Sequence, residues 1–273
     1  MALLTINHAT CTSCGICVQT CPVSIITFGE DNFPFVQEGS DKRCVLCGHC
    51  VSVCPDSALK HNLLAETAPI RKEIKDQITP TNIAEYFKSR RSIRKFQSKV
   101  VAKPLLEEVF DIVSYAPTGV NSQMNKWVVV SDPMVIRQLS DGVIEWMKAA
   151  ITVNPEFAKF LNFAGLIRMY EQGNDVICRH APTLVIGYTH ASYTGGTIDS
   201  VIATSHLEIL LPAFGLGSCW AGYLMIALRY SPEMRKMIGL DDSHTIHSAT
   251  LIGYPQYRYY KIPARKEPQV SWM

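Results

Sequence analysis

Apolar residues recur at helical spacing in the part of the chain that follows residue 80. Between residues 81 and 96 this spacing predicts an amphipathic helix with a cap at Thr81 or Asn82, and its apolar positions are Ile83, Tyr86 and Phe87. A second helix is predicted over residues 104–115. After a polar loop, the apolar run in KWVVVSD at 126–132 predicts a strand. These elements indicate a domain of ordinary size with its own core.

The first sixty residues are organised around a repeated cysteine motif. CTSCGICVQTCP at 11–22 is followed, at an offset of 33, by CVLCGHCVSVCP at 44–55, and seven of the twelve positions are identical. Each run has three cysteines at intervals of three residues, a fourth cysteine four positions later, and then proline. This spacing is typical of bacterial two-cluster ferredoxins, in which the fourth cysteine of each run binds the other cluster. Residues 1–60 therefore resemble a complete bacterial-type ferredoxin.

The spacing assigns the eight cysteines to two [4Fe–4S] clusters. Three thiolates on one tight loop can occupy three corners of a cubane, and the fourth comes from the other run. The predicted ligand sets are Cys11, Cys14, Cys17 and Cys54 for one cluster, and Cys44, Cys47, Cys50 and Cys21 for the other. Structural zinc is an alternative, although its usual spacing is two separated pairs, and disulfides are disfavoured in a reducing compartment. Cys178 and Cys219 follow no ligand spacing and are predicted to be ordinary buried thiols.

Length, composition and charge limit the possible classes of protein. The 273 residues, 47% of them hydrophobic, allow a small module at 1–60 and a larger domain at 81–273. The polar segment 61–80 has three charges of each sign and ends in proline, so it is predicted to be a linker with room for a short helical piece. A net charge of +2 argues against nucleic acid or a membrane surface as the main partner. The N-terminus lacks a signal-peptide pattern, so we expect a cytoplasmic protein.

Five cations lie at the end of the first predicted helix: Lys88, Arg90, Arg91, Arg94 and Lys95. They could form a solvated helix end, or they could form an anion site in which guanidinium groups and the Ser92 hydroxyl bind a phosphate. The loop 116–123 that follows the second helix is dense in amide and hydroxyl groups. Together, RRSIR at 90–94 and APTGVNSQ at 116–123 resemble the opening of the nitroreductase family of flavoproteins.

The resemblance extends to the C-terminal part of the chain and carries an expected fold. RHAPTLVIGYTH at 179–190 is similar to a family strand, and the stretch after residue 196 is similar to its long central helix, about 197–214, with a short strand behind it. HSATLIGYP and RYYKIPARKEP are similar to the last elements that bind FMN. The resemblance implies an α+β fold, in which a two-cluster ferredoxin-like domain precedes an FMN-dependent nitroreductase-like domain with a mixed, mainly antiparallel sheet and flanking helices.

The resemblance also implies which residues bind FMN in a homodimer. The phosphate would be held by Arg90, Ser92 and Arg265, with Arg91 and Arg94 nearer the ribityl chain and the pyrimidine edge. The polar loop would reach the flavin of the partner subunit through Pro117, Thr118, Gly119, Asn121 and Gln123. One backbone N–H would point at flavin N5 from the segment Cys219, Trp220, Ala221 and Gly222. Some family members have an acidic residue where this chain has Ala221, so the surroundings of N5 are expected to differ.

These features predict an FMN- and iron–sulfur-dependent oxidoreductase. Electrons would pass from an external ferredoxin or similar carrier through the clusters to FMN, and on to a nitroaromatic, a quinone or an activated enone. A non-enzymatic flavoprotein that relays electrons between protein partners is an alternative, as is an NAD(P)H-driven flavin reductase or flow in the reverse direction. GLGSCWAG at 215–222 is not a dinucleotide fingerprint, because tryptophan occupies the third glycine position. No side chain is assigned a catalytic role, and residues 141–178, where the family usually forms its substrate pocket, leave the substrate open.

Overall fold

The computed structural model describes residues 2–65 and 78–273, which group into two compact units. Of the described residues, the first unit contains those up to Ile78 together with Gly119–Ser122, and the second contains Thr79–Thr118 and Gln123–Met273. Most of the predicted linker 61–80, with its short helical piece, lies outside the described residues. The domain boundaries therefore stay a prediction. In the described ranges, none of the helices combines the length and the apolar character needed to cross a membrane.

Within residues 2–65, the first unit has two small antiparallel strand pairs and two short helices. Strand β1 (Leu4–Ile6) pairs with β4 (Leu59–His61), and β2 (Ile26–Phe28) pairs with β3 (Pro34–Val36). The helices are α1 (Ile16–Thr20) and α2 (His49–Ser52), and a 3₁₀ turn covers Asp41–Arg43. A small core that includes Ile25, Ile26 and Leu59 packs against the cysteines.

The backbone of the first unit repeats with the same offset of 33 residues as the sequence. Gly15 and Gly48 precede the two helices with φ values of 72° and 71°, and Ser24 and Ser57 both have φ near 50°. Glycine is favoured at the first pair because side chains with a Cβ rarely adopt this left-handed conformation. The two cysteine runs therefore fold into matching loops.

The second unit is a four-stranded antiparallel sheet covered by helices on both faces. Its strands are β5 (Lys126–Val130), β6 (Thr183–His190), β7 (Gly217–Trp220) and β8 (His244–Gly253), in the order β5-β6-β8-β7. Its helices are α3 (Pro80–Ser89), α4 (Lys103–Val113), α5 (Pro133–Val153), α6 (Pro155–Phe160), α7 (Phe163–Glu171), α8 (Gly196–Leu210), α9 (Gly222–Tyr230) and α10 (Pro232–Met237). The predicted mainly antiparallel sheet with flanking helices is confirmed.

Alternation along β6 shows how the sheet joins two cores. Leu184 and Ile186 pack with α5, α7 and α9, whereas Val185 packs on the opposite face with α4 and α8. Because successive side chains of a strand point to opposite faces, a continuous apolar run fits a strand that is covered on both sides. The two faces of β6 are thereby covered by different helical layers.

Two predicted helix ends differ from the structure. Helix α3 begins at Pro80, not after Thr81 or Asn82, because Thr79 is the N-cap and its Oγ1 accepts a hydrogen bond from the Asn82 N–H at 3.2 Å. Proline is favoured in the first helical turn, where its missing N–H has no intrahelical partner in any case. The predicted central helix, about 197–214, is α8 followed by a 3₁₀ turn at Leu211–Phe214.

The region 141–178, whose role the sequence leaves open, forms the end of α5, α6 and α7 and the loop before β6. Phe163 is fully buried, and the rings of Trp146 and Phe157 pack against it with centroids 5.4 and 5.7 Å away. These aromatic residues belong to the core. Phe160, in contrast, is exposed.

Candidate functional site

The first unit contains two small cavities, each lined by four cysteines drawn from both runs. One is lined by Cys11, Cys14, Cys17 and Cys54, and the other by Cys21, Cys44, Cys47 and Cys50. The fold thus groups the same cysteines as the spacing did, including the exchange of the fourth cysteine. All ten cysteines of the chain are free thiols. In the described residues, no three side chains of the metal-binding types converge on the position of a single metal ion.

Two of the thiols that line these cavities have a raised pKa, and thiolate sulfur is the ligand that iron–sulfur clusters require. Burial raises the pKa of Cys50 to about 11, and a backbone hydrogen bond from Val51 offsets only part of that shift. Burial also raises the pKa of Cys17. Such thiols are protonated at neutral pH unless bound iron stabilises the thiolate form. The donor set and the two cavities therefore fit two iron–sulfur clusters.

The predicted polar loop 116–123 is divided between the two units. Gly119–Asn121 forms a 3₁₀ turn in which Asn121 has a φ of 55°. Within the first unit, Nδ2 of Asn121 donates hydrogen bonds to the carbonyl oxygens of Val45 and Leu46, at 3.0 and 3.1 Å. Of the other residues predicted here, Gly119 also belongs to the first unit, and Pro117, Thr118 and Gln123 belong to the second. Their predicted contact with the partner subunit's flavin stays a prediction.

The arginine motif lies directly against strand β7. Ser92 forms a parallel bridge with Ser218, and the Ile93 N–H donates to the Ser218 carbonyl at 2.7 Å. The side chain of Ile93 occupies the space that a Cβ on Gly217 would need, so glycine permits this close approach. The motif 90–94 and the segment 219–222, which are far apart in sequence, are brought together at this edge of the sheet.

Arg90 lies in a cleft where it has one carboxylate neighbour and an unsatisfied donor. Its Nη1 is 3.8 Å from Oε1 of Glu208, yet it is buried with no hydrogen-bond partner in the described structure. Arg90, Arg91 and Ser218 line an open cleft of 680 Å³. Arg90 also lines a neighbouring cleft of 410 Å³ with Arg265. A phosphate is the type of ligand that satisfies such convergent guanidinium donors, so these residues fit the predicted phosphate site.

Glu208 was not predicted from the sequence, although it connects three parts of this site. Its carboxylate accepts hydrogen bonds from Oγ of Ser218 at 3.1 Å and from the indole Nε1 of Trp220 at 2.7 Å, and it pairs with Arg90. Because the side chain is only 13% exposed, these partners hold it in one orientation. Glu208 thereby fixes the segment 218–220 relative to the arginine motif.

Arg179 is a second residue that the sequence analysis missed. Burial raises the pKa of the Cys219 thiol, and the positive charges of Arg94, Arg179 and Arg90 lower it. Arg179 precedes β6, and β6 runs parallel to β7 because both pair antiparallel with β8. The start of β6 therefore lies at the same end of the sheet as the start of β7, and the charge of Arg179 acts on Cys219, the first residue of the predicted flavin segment.

The loop that carries Arg179 is strained and is held by one carboxylate. Arg179 and His180 have φ values of 57° and 53°, a conformation that costs non-glycine residues about 1–3 kcal/mol each. Asp175 accepts backbone hydrogen bonds from Ile177 at 3.0 Å, Cys178 at 2.9 Å and His180 at 3.1 Å. In the sequence, this loop could have been recognised only from Asp175 and Arg179, which lie just before a predicted strand.

Comparison with known proteins agrees with both halves of the chain. Residues 87–254 match the model of the nitroreductase family, and residues 10–59 match the model of the 4Fe-4S dicluster domain. An NADH dehydrogenase of Thermus thermophilus is 27% identical over 191 residues, which cover 66% of this chain and 88% of that protein.

Solved structures show the same fold for the larger unit. The nitroreductase with bound FMN from Desulfitobacterium hafniense has a TM-score of 0.55 at 18% identity, over 69% of this chain and 97% of its own. The nitroreductase with bound FMN from Bacteroides fragilis has a TM-score of 0.53 at 19% identity, over 69% of this chain and 98% of its own. Since the first family model covers more than half of the residues, the chain belongs to the nitroreductase family, and it carries an N-terminal 4Fe-4S dicluster domain.

Proposed function

We propose that this nitroreductase-family oxidoreductase takes single electrons from a low-potential protein carrier through two [4Fe–4S] clusters to FMN, and reduces a small organic acceptor. The observation that carries the proposal is the pair of cavities lined by four cysteines each, in the same chain as the arginine-lined cleft. The family match and the dicluster match support FMN and two clusters as its cofactors. When bound, clusters of this type carry one electron each and FMN carries two, so the pair couples one-electron donors to two-electron chemistry.

The residues of the second unit would bind and orient the flavin. Arg90 and Arg265 would hold the phosphate from two sides, and Glu208 would keep Arg90 and Trp220 in place. The positive charges of Arg94 and Arg179 near Cys219 favour a negatively charged group at this edge of the sheet. The neutral side chain of Ala221 adds no charge at the position where some family members have an acidic residue.

The expected partners follow from the family and from the predicted donor. We infer a homodimer, an external ferredoxin or similar carrier as electron donor, and a cytoplasmic location. Nitroaromatics, quinones and activated enones remain the proposed acceptor classes. Sedimentation of the FMN-loaded protein tests the dimer, because a monomer with full FMN occupancy would contradict it.

Direct reduction by NAD(P)H is the second candidate. It is favoured by the name of the Thermus thermophilus relative, an NADH dehydrogenase that matches this chain over 191 residues. In that case the clusters would serve another protein partner or carry electrons outward.

An anaerobic titration separates the two candidates. Reduced ferredoxin, NADH and NADPH are each mixed with the holoprotein while the visible absorbance of the flavin is followed. We expect rapid bleaching by ferredoxin, slowed in Cys14→Ser and Cys47→Ser but not in Cys178→Ala, whose thiol lies outside both cavities. Bleaching by NADH at catalytic rates, unaffected by the two cluster variants, would refute the proposed electron donor.

A further inference from the structure

A buried histidine lies against one of the predicted cluster ligands. His61, at the end of β4, is 4% exposed, and its Nε2 lies 3.5 Å from Sγ of Cys44. Its other ring nitrogen, Nδ1, accepts a hydrogen bond from the Leu63 N–H at 3.2 Å. The ring also lines the cavity of Cys21, Cys44, Cys47 and Cys50.

The contact with Leu63 determines which ring nitrogen carries the proton. A nitrogen that accepts an N–H bond is unprotonated, so the proton of the neutral imidazole is on Nε2. The Nε2–H group therefore donates a hydrogen bond to the sulfur of Cys44.

The other half of the repeat has no such donor at the matched position. The offset of 33 that relates the two cysteine runs also relates β2 to β4. Phe28 is therefore the residue of the first half that corresponds to His61 in the second half. The Phe28 ring lies over Gly15, with ring carbons 3.1 and 3.3 Å from where a Cβ of that residue would be. A phenyl ring cannot donate an N–H to sulfur. The chain thus contains two cysteine loops with matching glycine conformations, one with and one without this side-chain donor.

We propose that His61 is a positioning residue that acts through Cys44 and raises the reduction potential of the cluster held by Cys21, Cys44, Cys47 and Cys50. Reduction adds one electron to a cluster and increases the negative charge on its sulfur ligands. An N–H directed at a ligand sulfur therefore stabilises the reduced form more than the oxidised form. The inference rests on the proposed function, since it assumes that the clusters are bound.

One backbone N–H donates to a ligand sulfur of the other cluster. The Ala58 N–H donates to Sγ of Cys54, a ligand of the other cluster, at 3.2 Å. A side-chain substitution at position 61 leaves that bond in place. The potential of the Cys54 cluster is therefore an internal reference within each variant.

The test is an anaerobic redox titration of the full-length holoprotein, monitored by electron paramagnetic resonance, with iron analysis of each sample. His61→Phe gives position 61 the residue of its repeat partner. We expect one of the two midpoint potentials to fall by about 59 mV. For a one-electron couple this shift is a tenfold decrease in the ratio of reduced to oxidised cluster at a given potential. The other potential should not change. His61→Gln, whose amide can donate an N–H from a similar position, should restore at least half of the shift.

Phe28→Leu is the matched control, and it should leave both potentials at their wild-type values. If His61→Phe does not assemble its clusters, His61→Leu repeats the test with a smaller side chain. Unchanged potentials in a fully iron-loaded His61→Phe or His61→Leu variant would overturn the inference, and so would an equal shift of both clusters. A wild-type protein without iron would instead refute the proposed function.

Discussion

Replacement of Asp175 by alanine tests whether one carboxylate holds the loop that presents Arg179. The substitution removes the acceptor of three backbone N–H groups and of the Ser140 hydroxyl. Two of these N–H groups belong to Ile177 and Cys178, which are 3% and 0% exposed, so water cannot replace the lost acceptor unless the loop moves.

The expected loss of stability follows from those two buried donors. A buried N–H without a partner costs about 1–3 kcal/mol, which gives about 2–6 kcal/mol for a rigid loop. As long as the loop stays in place, Arg179 and His180 keep their left-handed conformation and no strain is released. We therefore expect a loss of about 2–6 kcal/mol. Asp132→Ala is a matched control, because that exposed carboxylate accepts one N–H, from Met134 at 2.8 Å, and its loss should cost about 1 kcal/mol.

Urea unfolding followed by tryptophan fluorescence is the appropriate assay. The four tryptophans lie at positions 127, 146, 220 and 272, so the signal reports the second unit alone. The change in the free energy of unfolding is obtained from the shift of the midpoint at constant slope. If Asp175→Ala is no more destabilising than Asp132→Ala, the carboxylate does not organise the loop. Asp175→Asn keeps one acceptor oxygen. Its loss in the free energy of unfolding should be smaller than that of Asp175→Ala and larger than that of Asp132→Ala.

Three further predictions concern the cavities, the phosphate site and a buried thiol. Cys47→Ser should lower the iron content from about eight to about four atoms per chain, since the other cavity keeps its own four cysteines; complete loss of iron would contradict independent sites. Arg90→Ala should raise the FMN dissociation constant about 10- to 100-fold in a fluorescence titration, because a hydrogen bond to a charged group contributes about 1.5–3 kcal/mol. Arg137→Ala, which removes an exposed cation from α5, should leave that constant unchanged. Burial raises the pKa of Cys178 to about 12, so the folded state keeps a proton that the unfolded state loses above about pH 9. The free energy of unfolding should therefore fall as the pH rises from about 9 to 12. The fall should be steeper in the wild type than in Cys178→Ala, by up to about 1.4 kcal/mol per pH unit. Equal slopes in the two proteins would contradict a raised pKa of Cys178 in the folded state.

The features that could be predicted from the sequence are local or periodic. The eight cysteines could be grouped because ligand spacing on a tight loop is fixed by the geometry of the cluster, and the repeat doubles that signal. The sheet with flanking helices could be predicted from ordered family motifs. The N-cap of α3 was misplaced by two or three residues, because Thr79 lies before Pro80 and both Thr81 and Asn82 have cap chemistry as well.

The residues that the sequence did not identify act through partners far away along the chain. Glu208 meets Arg90 across more than one hundred residues, and a single glutamate near the end of a helix carries no pattern that points to an arginine. Arg179 is similar, since its importance depends on the positive φ of its loop and on its charge effect on Cys219, forty positions later in the chain. Such pairings arise from tertiary packing. They produce no periodic pattern or motif in the sequence from which they could be predicted.

An internal repeat makes its own departures informative. Positions 15 and 48, like positions 24 and 57, keep the same backbone conformation across the offset of 33, so the loop geometry that holds the cysteines is maintained in both halves. Positions 28 and 61 lie at the matched ends of two strands, yet one side chain is a phenyl ring and the other is an imidazole bonded to Cys44. The two positions also differ in burial, since Phe28 is 38% exposed and His61 is 4% exposed. His61 adds a side-chain N–H to a ligand sulfur of one cluster, so its removal is expected to lower the electron affinity of that cluster alone.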